Sequence, residues 1–239
     1  MKRVCLIVLL FALGVAGQFL LAARRPVKSP VLAESALAAL GGFRSLAAEA
    51  VWFRADRLQR DGRYVELAQL ASTLCFLEPH TPEVWSYAAW NLAYNISVMM
   101  PTEADRWRWV KAAIHLLRDE GLKLNPDEVE LYRELAWMFQ LKIGADLDSA
   151  APLYRREWKA VVEDVIRRDA WRELAMDPVR RDEVARRYGI TDWTDAFASA
   201  IYWADRGLAC ATEKTDIAFL NEIVRQSVVS LRKSANMVK

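Results

Sequence analysis

Two stretches of this chain repeat one another at a fixed interval, and no other feature constrains the fold as strongly. Leu77-Glu78-Pro79 is followed by Trp85, Ala89, Trp90 and Leu92. Leu124-Asn125-Pro126 is followed at the same offsets by Tyr132, Ala136, Trp137 and Phe139. Proline cannot continue a helix, so each motif closes one helix, and large and small residues at helical spacing open the next. Self-similarity of this kind marks helical hairpins that stack, each hiding its apolar face against a neighbour. Such arrays usually bind rather than catalyse. Nine Gly and eight Pro in 239 residues, with no sustained apolar–polar alternation, leave little room for sheet, so an all-α chain is expected.

The N-terminal part, residues 1–28, reads as an address. Residues 4–23 are interrupted only by Gln18 among polar types and lie between Lys2-Arg3 and Arg24-Arg25. At about 1.5 Å per residue such a helix covers the roughly 30 Å hydrocarbon core. Hydrophobicity resumes at Phe19-Leu20-Leu21, which favours one retained transmembrane helix. The rival is a cleaved signal peptide, with a shorter apolar region at 4–13 and a small-x-small site at Gly14-Val15-Ala16. Both readings send the chain to a membrane. The positive flanks are nearly balanced and a long C-terminal domain crosses regardless, so a single pass with the soluble body facing the periplasm or exterior is expected. Pro26 and Pro30 make a short, stiff exit.

Charge excludes one class of partner. The formal net charge is +2, but residues 1–28 hold five basic residues and no acid, so the remainder carries 28 basic against 31 acidic residues. A mildly acidic body with mixed charges does not suit nucleic acid. Cys5, Cys75 and Cys210 lack metal or redox spacing, and with only His80 and His115 a histidine-rich metal site is excluded. Buried thiols are the simplest account of the cysteines, with a Cys75–Cys210 disulfide open in an oxidising compartment. No Gly-rich phosphate loop, H-E-x-x-H or G-x-S-x-G occurs. His115 and Asp119, one helical turn apart beside Glu120, are the best acid–base pair, but no nucleophile is spaced to join them. No catalytic residue, cofactor or small-molecule substrate is therefore expected.

From residue 32 the pattern predicts helix after helix. A first, at 32–40, stops at Gly41-Gly42; the next, at 43–60, stops at Asp61-Gly62. Helices follow at 64–76, from Thr81 or Pro82 to 94, and after the break at Met99-Met100-Pro101 at 105–124. Segments 127–141 and 147–165 form a third pair. Beyond, at 166–239, a short helix from Asp177-Pro178 to Gly189 precedes helices at 192–212 and 216–233, a pair expected to cap the array. Asp148 is expected to cap the helix after it.

These pairs resemble tetratricopeptide repeats, helix-turn-helix units of about 34 residues. The likeness spans residues 48–160. Gly62-Arg63-Tyr64, Leu67, Ala71, Leu74 and Pro79 sit at the family's second-helix spacings. Tyr132, Leu135, Ala136 and Phe139 meet its first-helix pattern, as do Trp85, Ala88, Ala89 and Leu92 with Ala for the Leu. Departures are Arg54, at a usually apolar position, and Arg118, at one usually bulky and buried. The 47-residue interval between Pro79 and Pro126 is also longer than the family's, so about thirteen extra residues, among them Met99, Met100, Pro101 and Trp107, enlarge the middle unit. The strings RLQRDGRYVELAQLAS, WNLAYNIS and LYRELAWMFQLKIG also look like those of uncharacterised membrane-anchored bacterial proteins, which brings no activity.

The resemblance implies an α-solenoid at 32–165 whose first helices line a concave surface. Partner-touching positions carried over are Trp52, Asp56 and Gln59 in the first unit. They are Ser86, Trp90 and Ala93 in the second, and Arg133, Trp137 and Gln140 in the third. Two equivalent tryptophans with Arg133 beside one suit a peptide with apolar anchors and a carboxylate. In the competing reading Trp90 and Trp137 pack between helices. Asn91 and Asn95 are candidates to clamp a peptide backbone, against a simpler capping role. The alternation Asp105-Arg106-Trp107-Arg108-Trp109 is read as a solvated face with packed tryptophans. The functional expectation is a protein–protein interaction scaffold anchored in the inner membrane of a bacterial envelope. The alternative is a permanently bound accessory subunit of a membrane transport or secretion complex.

Overall fold

A computed structural model of the protein describes residues 43–237, and among these every regular element is helical. The expected membrane segment, the helix at 32–40, its Gly41-Gly42 stop and Cys5 lie outside the described residues. Within them no helix is long and apolar enough to cross a membrane.

The first hairpin is α1 (Phe43–Arg60) and α2 (Tyr64–Leu77), turned by Gly62 at φ +69°. Such a left-handed residue costs glycine little and any other residue more. α3 starts as Pro82–Trp90, with proline in the first turn where no N–H is needed. It then widens into a π-helical segment, Asn91–Ile96, and closes as Ser97–Met99. α4 runs as Glu103–His115, passes through a π segment at Leu116–Gly121, and ends as Leu122–Leu124. Thr102 caps α4 by accepting from the Asp105 N–H. α5 is Val129–Trp137 continued by a third π segment, Met138–Gly144.

The repeat seen in the sequence is a repeat in the backbone. α2 and α4 end 47 positions apart, and α3 and α5 begin and then widen 47 positions apart. One hydrogen bond explains the proline-to-aromatic spacing. Trp85 Nε1 donates to the Pro79 carbonyl at 2.9 Å, and Tyr132 Oη donates to the Pro126 carbonyl at 2.7 Å. Each aromatic thus ties the start of a first helix to the turn before it. Asn125 Nδ2 also donates to the Pro79 carbonyl at 2.8 Å, joining the two units.

α6 (Ala151–Arg168) follows, then a 3-10 turn at Trp171–Leu174 and α7 (Pro178–Tyr188), which Asp177 caps and Gly189 ends. α8 (Ala196–Cys210) is the most enclosed helix, with buried residues on nearly every side, and it packs against α5 and α9 (Lys214–Met237). Gly207 permits this: a Cβ there would lie 3.0 Å from Tyr132 Cβ and 3.0 Å from Leu220 Cδ1. One apolar core runs from Ala55 and Leu58 through Trp85, Leu131, Phe139 and Trp158 to Leu220 and Leu231. The closing pair departs from expectation in one respect. α9 does not merely cap an end; it crosses the face of α5 that carries Arg133, Trp137 and Gln140.

Candidate functional site

The expected partner-touching residues separate into three groups. In the first unit, Trp52 is half-buried with its ring centroid 5.2 Å from that of Tyr87, and its Nε1 reaches Glu78 at 3.4 Å. Gln59 Oε1 accepts from Tyr87 Oη at 2.8 Å, and Asp56 pairs with Arg60 at 2.7 Å on the surface. These three stay accessible but already serve the α1–α3 contact or a neighbouring charge.

The second group faces inward. Ser86 is buried, and Asn91 is fully enclosed. Asn91 Nδ2 donates to the Tyr87 carbonyl at 3.0 Å and its Oδ1 accepts from Asn95 Nδ2 at 2.6 Å. Neither Ser86 nor Asn91 can therefore meet a partner, which corrects their assignment. Where a helix widens, enclosed backbone needs local partners, and Asn91 supplies one. Gln140 is corrected too, because it is buried under α9, while Arg133 keeps 30% of its side chain exposed but is engaged by α9. Arg133 Nη1 pairs with Asp216 at 2.9 Å, and Gln140 Nε2 donates to the Ile223 carbonyl at 3.3 Å.

The third group is Trp90 and Trp137, which line one cavity of about 600 Å³. Trp90 is 42% exposed and stacks on Tyr94 at 5.8 Å, while Trp137 meets Phe219 edge-on at 5.6 Å. Val98, Leu141 and Leu147 complete an apolar wall. The polar side is built from residues that sequence spacing does not assign to a site. Lys142, on the π segment of α5, lies 2.6 Å from Asp148 and 5.2 Å from the Tyr94 ring centroid, with only 4% of its side chain exposed. Asp148 also accepts from the Ala150 N–H at 2.9 Å and from Tyr154 Oη at 3.3 Å; this is a turn ahead of the helix and not the expected cap, because Ala150 is the N-cap residue of α6. Arg106 stands 3.6 Å from Asp148 and donates to Ser149 Oγ at 3.1 Å. Two cations therefore meet one carboxylate at the cavity.

The electrostatics follow from enclosure. Burial works to raise the Asp148 carboxyl, but the Lys142 hydrogen bond, the Ala150 N–H and Tyr154 outweigh it and hold it below its usual range. Burial, with Glu134 nearby, pushes the Tyr94 hydroxyl far up, so it stays a neutral donor. The Tyr154 hydroxyl is raised by burial and by Asp148.

The geometry explains why α-helical spacing misses Lys142. In an α-helix a residue five positions after Trp137 lies about 140° around the axis, away from the indole. In a π-helical turn the fifth residue comes back near the same side. The one signal in the sequence is a lone Lys inside the apolar run Leu141-Lys142-Ile143. The enlarged middle unit contributes as well: Val98 and Arg106 belong to it, and Trp107 is buried, stacked on Tyr154 at 5.9 Å. The supposed solvated face at 105–109 is therefore divided, with Arg106 on the cavity and Arg108 paired to Asp105.

Cys75 and Cys210 are both free thiols, and burial pushes that of Cys75 up to about 12. Among the described residues no group of His, Cys, Asp and Glu could hold a metal ion. Comparison with family models, curated proteins and solved structures finds no match to this chain.

Proposed function

We propose that the protein is a membrane-anchored interaction scaffold that holds a segment of a protein partner in the cavity between Trp90 and Trp137. The observation that carries this reading is the convergence of the two repeat-equivalent indoles on one opening, with Arg106 and Lys142 facing the single acid Asp148. Partly exposed tryptophans in a concave site are strong anchors, since a large apolar area is buried at little conformational cost. The excess cation favours a segment that presents a bulky apolar side chain beside a carboxylate. Residues 4–23 would confine scaffold and partner to the membrane plane, raising effective concentration without new contacts. A tetratricopeptide-like origin fits the backbone repeat of α2–α3 and α4–α5, although α9 departs from a simple array.

The test uses the full chain extracted in mild detergent. Trp90→Ala should weaken partner recovery at least ~10-fold with the melting temperature nearly unchanged, because Trp90 is the more exposed indole. Full partner recovery by Trp90→Ala, Arg106→Gln and their combination would sink the cavity assignment.

A second reading, a permanently bound accessory subunit of a membrane complex, is favoured by the first hairpin alone. Leu46 and Phe53 on α1 and Val65 and Phe76 on α2 are 61%, 71%, 46% and 51% exposed. If that surface is the interface, Phe53→Ser would release the protein from stoichiometric membrane partners while Trp90→Ala would not.

A further inference from the structure

A second cavity, of about 380 Å³, opens where the end of α4 meets α5 and α8, and hydrogen-bond donors dominate its lining. Arg206, half-buried on α8, has no carboxylate partner among the described residues. Its Nη2 donates to Tyr132 Oη at 3.3 Å, and its guanidinium lies 5.6 Å from the Tyr132 ring centroid. That hydroxyl already donates to the Pro126 carbonyl, so it acts toward Arg206 only as an acceptor. A guanidinium carries five N–H donors, and most of those on Arg206 remain unspent.

One turn back on the same helix, Trp203 lines the cavity at 2% exposure, and its indole N–H has no acceptor in the protein. The ring is fixed between Tyr132, stacked at 6.3 Å, and Tyr202, edge-on at 5.1 Å. That N–H is itself closed to solvent, so the indole forms a wall of the cavity and reports on its contents. Arg118, 6% exposed, also lines the cavity, but Asp119 holds it through both carboxylate oxygens, at 2.6 and 2.7 Å. Lys123 stands at the rim, exposed and unpaired among the described residues. Asp119 is thus spent on Arg118 and His115, while Arg206 and Lys123 remain. The adjacent arginines of α7 differ, since Arg180 and Arg187 share Asp205.

We propose that this cavity binds a small oxyanion of the phosphate class, held by the Arg206 fork with Lys123 at the rim and the Trp203 ring as one wall. Guanidinium geometry matches two phosphate oxygens, and Lys123 adds a second positive charge. The volume exceeds that of a bare ion, which leaves room for a short ester body. The site stands apart from the Trp90–Trp137 cavity, and either assignment can fail without the other.

The experiment is calorimetric titration of the full chain in mild detergent with inorganic phosphate and, separately, with glycerol 3-phosphate. Indole N–H resonances are followed in parallel, the Trp203 signal being the one absent from Trp203→Phe. Saturable binding that moves that signal is expected, weakened at least ~10-fold by Arg206→Gln and less by Arg206→Lys, which keeps charge but loses the fork. Lys123→Gln, a surface change that spares folding, should weaken binding several-fold. Equal affinity for the two probes names free phosphate as the occupant, and tighter binding of glycerol 3-phosphate names an ester. Absence of saturable binding at millimolar concentration, or affinity unchanged in both Arg206→Gln and Lys123→Gln, overturns the proposal.

Discussion

Lys142 and Asp148 form the most consequential side-chain pair among the described residues, with 4% and 8% of their side chains exposed. Removing one partner of an enclosed ion pair strands the other, a loss of about 3–5 kcal/mol, whereas removing both with apolar replacement is far milder. Asp148→Asn is therefore expected to lower stability by about that amount in urea unfolding. Adding Lys142→Met should recover part of it. The pH dependence has a definite sign. A carboxyl held below its unfolded value, near about 3.9, lends stability fully present above that value and lost as pH falls through the lower folded one. Stability should thus decline below about pH 4, and Asp148→Asn should flatten that part of the acid limb. Asp148 was legible as a residue that turns the chain into α6, although Ala150 and not Asp148 is the N-cap. Its hold on Lys142 was not, because that contact depends on the widened turn of α5.

At the scale of elements, close approach between helices decides which glycines tolerate a side chain. Gly207 lies where α8 crosses α5 and α9, and its added Cβ would meet Tyr132 and Leu220 at 3.0 Å. Gly207→Ala should cost about 1–3 kcal/mol through overpacking, read as a fall in melting temperature of about 3–10 °C. At Gly121 the nearest contacts are 3.4 Å, an ordinary spacing, so Gly121→Ala should be neutral or slightly stabilising through helix propensity. Helix starts and stops were largely readable: α1 spans Phe43–Arg60 as expected, and Pro82, Pro178 and Gly189 punctuate as proline and glycine should. The three π segments were not readable. A single extra residue per turn leaves no composition signal, so α-helical spacing misplaces side chains across Asn91–Ile96 and Met138–Gly144.

At the scale of the whole molecule, α9 decides how much of the repeat array stays open. It buries Leu220, Ile223, Val224 and Leu231, each worth about 1.5–3 kcal/mol, a total comparable to the stability of a typical domain of about 5–15 kcal/mol. Truncation after Thr212 should therefore abolish cooperative thermal unfolding, seen as a broad transition by circular dichroism. The milder change Asp216→Ala should cost about 1 kcal/mol while freeing Arg133. The sequence by itself determined the helical class, the boundaries of most helices, and the 47-residue echo that aligns Trp90 with Trp137. Those properties depend on local chemistry, such as proline without an N–H, glycine at positive φ, and an aromatic donor six residues after a proline carbonyl. Only the tertiary structure decided that Gln140 is covered and Arg133 engaged by Asp216, that Arg106 and Lys142 line the cavity of the two indoles, and that Arg206 has no carboxylate partner among the described residues. Those outcomes depend on which helix crosses which face. Crossing is set by packing between residues 80 or more positions apart, such as Arg133 and Asp216, and local spacing carries no information about it.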